Sequence, residues 1–142
     1  MSTVVVVDAS VALKWVVTEH GSEQADAVLA AMVEGAVSLV APEHLIGEIS
    51  NGLRKRVAQR ALSVDDALSA LDAVAALELE YIGGAERWFR SLSAALEWGV
   101  TTYDALYVLL AIDLHAELIT ADRRLVDSAA KQALPVRALT RT

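Results

Sequence analysis

The sequence predicts a three-layer α/β/α domain built on a parallel β-sheet. Three observations predict it. "VVVV" (Val4 to Val7) is apolar without alternation, as a strand covered on both faces must be. Strand-like and helix-like segments alternate along the chain, the pattern of parallel strands joined by helical crossovers. Tyr103 to His115 reads as a nearly all-apolar helix, which suits a central, enclosed position.

The elements follow in order. Val4 to Val7 is the first strand, ending at Asp8. Ser10 to Val17 is a short helix and Ser22 to Glu34 a second. "VSLVAP" (Val37 to Pro42) is a strand stopped by its proline. Glu43 to Arg60 is a long helix with Leu45, Ile49, Leu53 and Val57 at four-residue steps. "SVDD" opens the helix Ser63 to Leu77 as a capping box, with Ser63 as N-cap and Asp66 three residues on. "ELEYI" (Glu78 to Ile82) is a short strand closed by Gly83 and Gly84. Ala85 to Trp98 is helical and stops at Gly99. After the central helix come the strand "ELIT" (Glu117 to Thr120), the helix Arg123 to Gln132 and the strand "PVRAL" (Pro135 to Leu139). No repeat, linker or low-complexity segment interrupts them, so the expectation is one domain, residues 1–142.

Composition narrows the chemistry. The apolar fraction of 55% argues for a packed core and against disorder. The longest apolar stretch, Ala105 to Ile112, is eight residues, far short of the roughly 18 to 20 that cross a bilayer. The N-terminus has no charged leader with a cleavage site, and the chain has no cysteine, which together fit a cytoplasmic protein without disulfides. His20, His44 and His115 lie far apart and form no zinc-binding pair. Any metal would therefore be held by oxygen, which points to magnesium or manganese. The net charge of −7 speaks against nucleic acid over the surface as a whole, unless some acids are gathered around bound cations.

The acids at the strand ends carry the most information. In open parallel sheets, ligands sit beyond the carboxyl ends of the strands. Asp8 follows the first strand and Asp122 follows "ELITA" in the same way. Asp104 opens the most apolar helix, and Glu48 lies at the margin of the apolar stripe of its own helix. An ionised group in such a place is costly without a partner. Carboxylates brought together also raise one another's pKa, and divalent cations remove that conflict. A magnesium ion takes only one or two protein carboxylates and completes its shell with water and phosphate oxygens. Such a cluster suits phosphate chemistry. Each acid also has a plain structural role open to it. Asp8 and Asp122 are good helix N-caps. Asp104 completes the capping box "TTYD" with Thr101, and Glu48 alone is a candidate for an ordinary ion pair.

At these residues the chain resembles the PIN-domain ribonucleases, and among them the VapC-type toxins of toxin–antitoxin pairs. The stretches that carry the resemblance are "VVVVDASVALKW", "PEHLIGEISNGLRK" and "TTYDALYVLLAIDLHAELITADRRL". It covers almost the whole domain, and the last stretch is the most specific. The resemblance implies a five-stranded parallel sheet in the order 3-2-1-4-5. It implies that Asp8, Glu48, Asp104 and Asp122 are the catalytic residues and hold Mg2+ or Mn2+. Ser10 in "DAS" and Thr120 in "TAD" fall where the family places hydroxyls that support the acids, although a helix-start serine and a strand threonine need no such role. The implied reaction is metal-dependent endonucleolytic hydrolysis of RNA, single-stranded or structured. The implied partners are a cognate antitoxin and a second copy of the chain.

Among the basic residues, Arg123 and Arg124 are the best candidates for RNA contact because they adjoin Asp122. Lys14, one turn past Ser10, is a weaker one. "RKRVAQR" (Arg54 to Arg60) and the pair Arg87 and Arg90 are either solvated helix faces or phosphate-tracking edges. Trp15, Trp88 and Trp98 lie in helices and read as core. Two rival classes remain. A haloacid-dehalogenase-type phosphatase shares the strand ending in aspartate but needs a second acid two residues on, where this chain has Ser10. A non-catalytic RNA- or protein-binding module of the same fold has no need of four intact acids.

Overall fold

The computed structural model describes residues 2–140. Five strands, β1 (Thr3–Val7), β2 (Val37–Pro42), β3 (Glu80–Ile82), β4 (Glu117–Thr120) and β5 (Val136–Ala138), form one sheet in the order β3-β2-β1-β4-β5. Every pairing is parallel. The helices are α1 (Ala9–Val16), α2 (Ser22–Val33), α3 (Leu45–Ala58), α4 (Val64–Ala75), α5 (Ala85–Trp98), α6 (Thr102–Asp113) and α7 (Arg123–Lys131). They cover both faces of the sheet in a three-layer α/β/α arrangement, as the alternation of elements predicts.

Two elements justify their sequence reading most directly. In β1, Val5, Val6 and Val7 are all buried, which is why that strand carries no polar alternation. In α6, every residue from Ala105 to Ala111 is buried, because the helix packs across β1, β2 and β4 and is flanked by α5. The N-cap half of each capping box forms: Ser63 Oγ accepts from Asp66 N–H at 3.1 Å and Thr101 Oγ1 accepts from Asp104 N–H at 3.0 Å. Differences lie at the element ends. Glu43 and His44 form a turn before α3 instead of its first residues. β3 is three residues long because it is an edge strand and pairs only with Val40 to Pro42 of β2. Among the described residues, no helix is long and apolar enough to cross a membrane.

The register sets up the functional end of the sheet. Val7 lies opposite Ile119, so the next residues on the two strands, Asp8 and Thr120, emerge side by side at the carboxyl edge. Both chains then turn into helices, at α1 and α7, with Asp8 and Asp122 as N-caps.

Candidate active site

Asp8 is the centre of a buried hydrogen-bond network. Its Oδ1 accepts from Ser10 Oγ at 2.5 Å and from the backbone N–H of Val11 at 3.3 Å. Its Oδ2 accepts from Thr120 Oγ1. Each hydroxyl gives its proton to Asp8 and takes a backbone N–H in return. Ser10 Oγ accepts from Ala121 at 2.9 Å, and Thr120 Oγ1 accepts from Asp122 at 3.1 Å. Strand β1, helix α1 and the β4–α7 turn are thus pinned together through one carboxylate. Asp8 is only 6% exposed, and Thr120 is fully buried.

No cation reaches this carboxylate through an ion pair among the described residues. Burial pushes the Asp8 pKa up to about 6, against the pull of the Ser10 and Thr120 hydroxyls and the Val11 N–H; the charge of Asp104 adds to the rise. Asp104 is raised as well, first by burial and then by the charge of Asp122, with Glu48 contributing. Asp104 thus lies within electrostatic reach of Asp8, Asp122 and Glu48. Asp8 and Asp122 cap α1 and α7 at the carboxyl edge of the sheet, while Asp104 and Glu48 lie in the first turns of α6 and α3.

Glu48 has partners that the sequence did not announce. Tyr107, on α6, donates its hydroxyl to Glu48 Oε1 at 2.7 Å. Burial, and then the Glu48 charge, hold that phenol protonated well above its usual range. His44 Nε2 lies 3.1 Å from Glu48 Oε1, yet without hydrogen-bond alignment, so both ring nitrogens lack a partner in the protein. The only advance signals were spacings: Tyr107 three residues past Asp104, and His44 four before Glu48.

The basic residues divide. Arg123 and Arg124 are exposed at the start of α7, next to Asp122, and make no ion pair among the described residues. Lys14 points elsewhere: its Nζ is 3.3 Å from Glu19 Oε1, and Arg56 grips the same carboxylate at 3.1 and 3.0 Å. Arg87 and Arg90 both bind Asp113 and clamp α5 to α6. Trp15 is half-buried and donates to Ala25 O at 2.8 Å. Trp88, expected in the core, is instead 38% exposed and stands against His44.

Among the described residues, no group of three or more His, Cys, Asp or Glu side chains is arranged so that it could hold a metal ion. The donor chemistry nevertheless fits a hard divalent cation. The acids are all-oxygen donors, the Asp104 charge adds to the raised pKa of Asp8 and the Asp122 and Glu48 charges to that of Asp104, and magnesium needs only one or two carboxylates. A cation here would relieve the cost of the buried Asp8 charge.

Comparison with known proteins agrees with the fold. The fold is that of a PIN domain: the profile of the PIN domain family matches residues 5–131, and the chain belongs to that family. Within it the chain stands with the VapC proteins. It is 35% identical over 128 residues to Ribonuclease VapC3 of Pyrobaculum aerophilum, covering 86% of this chain and 92% of the relative. Two solved structures share the fold. VapBC2 from Rickettsia felis, bound to a DNA fragment from their promoter, has a TM-score of 0.67 at 14% identity, covering 96% of this chain and 98% of that one. VapC20 of Mycobacterium tuberculosis, a toxin that cleaves the sarcin–ricin loop, has a TM-score of 0.67 at 13% identity, covering 87% and 94%.

Proposed function

We propose that the protein is a divalent-metal-dependent endoribonuclease, the toxin of a toxin–antitoxin pair. One observation carries the reading: a buried, hydroxyl-held Asp8 carboxylate without a protein cation, on a rim shared with Asp104, Asp122 and Glu48. The naming of VapC3 as a ribonuclease and of VapC20 as an RNA-cleaving toxin supports it.

In this reading Asp8, Glu48, Asp104 and Asp122 would hold Mg2+ or Mn2+. When bound, the cation supplies positive charge for the phosphoryl oxygens and acidifies the attacking water. The chain's own side chains prepare the site. Ser10 and Thr120 fix both oxygens of Asp8, and Tyr107 fixes one oxygen of Glu48. Arg123 and Arg124 present free charge to RNA phosphates beside Asp122. Lys14 is the weakest of the RNA contacts, since Glu19 shares its charge.

Partner surfaces follow from exposed apolar area. A hollow of about 370 Å³ between α3 and α4, lined by Leu53, Val57, Val64, Ala67, Leu68 and Leu71 among others, is the proposed seat of the antitoxin. Phe89, Leu92 and Leu96 line up at three- and four-residue steps on α5, 82%, 55% and 79% exposed, and are the proposed contact with a second copy. Light scattering of the purified chain tests that contact, with a monomer at micromolar concentration excluding it.

The deciding assay incubates purified protein with single-stranded RNA in Mg2+ or Mn2+, with and without chelator. Cleavage that needs the metal is the expected result. RNA bound but uncut under every condition would make the protein a non-catalytic module of the same fold.

A further inference from the structure

Beside Glu48 lies an aromatic cluster of which the chemistry above uses only Tyr107. The His44 ring stands 5.4 Å from Trp88, 5.6 Å from Tyr103 and 4.9 Å from Tyr107, centroid to centroid. Trp88 and Tyr103 meet edge to face at 5.6 Å. Tyr107 is buried, whereas Trp88 and Tyr103 are 38% and 53% exposed. Exposing two large aromatic rings next to a polar site is costly for a free protein, and such rings are characteristic stacking partners of unpaired bases.

Two hollows meet at His44. One, about 260 Å³, is walled by Glu43, His44, Gly83, Gly84, Arg87 and Trp88 over an apolar floor that includes Leu106. The other, about 420 Å³, runs from His44 and Tyr103 to Glu48. The first exceeds the roughly 150 Å³ that encloses one benzene ring, so a single heterocycle fits. Its charges indicate what kind. Arg87 is committed to Asp113, and the remaining charge is the Glu43 carboxylate, which disfavours a phosphate. A flat, uncharged ring with N–H donors on its edge suits it: Glu43 accepts, and the His44 ring adds an aromatic wall beside Trp88. Gly83 makes room for that carboxylate, because a Cβ there would sit 2.5 Å from the Glu43 carboxyl.

We infer that Trp88, Tyr103 and His44, with the cavity between Glu43 and Trp88, form a subsite that stacks one unpaired nucleobase of the RNA next to the phosphodiester held at the acidic rim. The inference rests on the ribonuclease reading and deepens it. It makes the enzyme selective for a base that is free of pairing, and it makes Trp88 and Tyr103 substrate-binding residues.

The test is RNA binding measured apart from cleavage. A fluorescein-labelled single-stranded RNA decamer is titrated at low salt in chelator, by anisotropy, against wild type, Trp88→Ala, Trp88→Phe and Tyr103→Ala. The same decamer made of abasic residues is the control. Trp88→Ala is expected to weaken binding of the normal RNA about tenfold or more, with Phe restoring most of it. Abasic RNA should bind both proteins equally weakly. Trp88→Leu, which keeps apolar volume, replaces the alanine variant if that one melts early. Affinities within twofold of wild type for the Trp88 and Tyr103 variants, or abasic RNA bound as tightly as normal RNA, overturn the subsite. Metal-dependent cleavage by wild type is followed in parallel. If it persists while the binding prediction fails, only the subsite is lost. If base-dependent binding holds but no RNA is cut, the nuclease reading fails and the subsite stands.

Discussion

Glu19 and Asp8 are carboxylates drawn into the protein, and the chain surrounds them with opposite chemistry. Glu19 is gripped by Arg56 through both oxygens and by Lys14 through one. Burial pushes its pKa up, but the two cations more than offset this and hold it below the ordinary range. Asp113 has the same kind of holder in Arg90 and Arg87. Asp8 is more deeply buried than either, yet its partners are two hydroxyls and one N–H, and its pKa rises to about 6. Cations are available to this chain. They are spent on carboxylates that join helices and kept away from the one at the sheet edge. In the proposed function, an external cation supplies the positive charge that the buried Asp8 carboxylate lacks.

The largest break in that comparison comes from removing the charge at the rim. Asp8→Asn and Asp104→Asn are expected to lower RNA cleavage about a thousandfold or more, while the melting temperature in chelator stays at or above that of wild type. Asparagine keeps the N-cap at position 8, so a melted Asp8→Asn would show that the carboxylate is structural. Wild-type cleavage in either variant would remove that residue from the site.

Proton linkage separates the two carboxylates next. Asp8 has a folded-state pKa above its ordinary 3.8. The folded state therefore binds the extra proton, and the stability this confers is complete below about pH 4 and lost as pH rises through about 6. The difference corresponds to roughly 3 kcal/mol. Glu19 and Asp113 work in the other direction, since their folded pKa values lie below the unfolded ones: their contribution is present above the ordinary carboxylate range and lost as pH falls. Melting curves in chelator across pH 4 to 8 should show a high-pH loss in wild type that is clearly smaller in Asp8→Asn, the remainder coming from Asp104. Added Mg2+ should raise the wild-type melting temperature at pH 7.5 more than at pH 4.5. An equal rise at both would dissociate metal binding from Asp8.

The paired carboxylate predicts a smaller effect with the opposite signature. Arg56→Met leaves Glu19 with Lys14 alone, and a loss of about 1–2 kcal/mol is expected at neutral pH. Cleavage at saturating RNA should be unchanged, measured beside the melt. A large fall in cleavage would tie α3 to the reaction. Smallest of all, Arg123→Ala or Arg124→Ala should weaken RNA binding a few-fold for every sequence and reduce the salt slope by about one. A slope equal to wild type places neither arginine on a phosphate.

How much of this was legible beforehand follows from range. Asp8, Asp104 and Asp122 sit at strand ends and helix starts, where the local sequence dictates both backbone and side-chain direction, and the caps at Thr101 and Asp122 formed as read. Ser10 and Thr120 were legible as neighbours of acids. Tyr107 was not, because its bond to Glu48 spans 59 residues and depends on how α6 lies against α3. Trp88 read as core along with Trp15 and Trp98. An amphipathic helix announces that it has an apolar face, and its periodicity does not say where along that face the protein ends.

The sequence by itself determined the order of strands and helices, the placing of acids at element ends, and a chain rich enough in apolar residues to bury a sheet on both sides. Those are properties of neighbours within a turn or two. Only the tertiary structure decided that Arg56, Arg87 and Arg90 would be spent on ion pairs, that Asp8 would be left to hydroxyls, and that an aromatic cluster would stand open beside Glu48. Each of those outcomes depends on helices distant in sequence packing against one another. Burial and charge pairing are set by that packing, and no local propensity contains it.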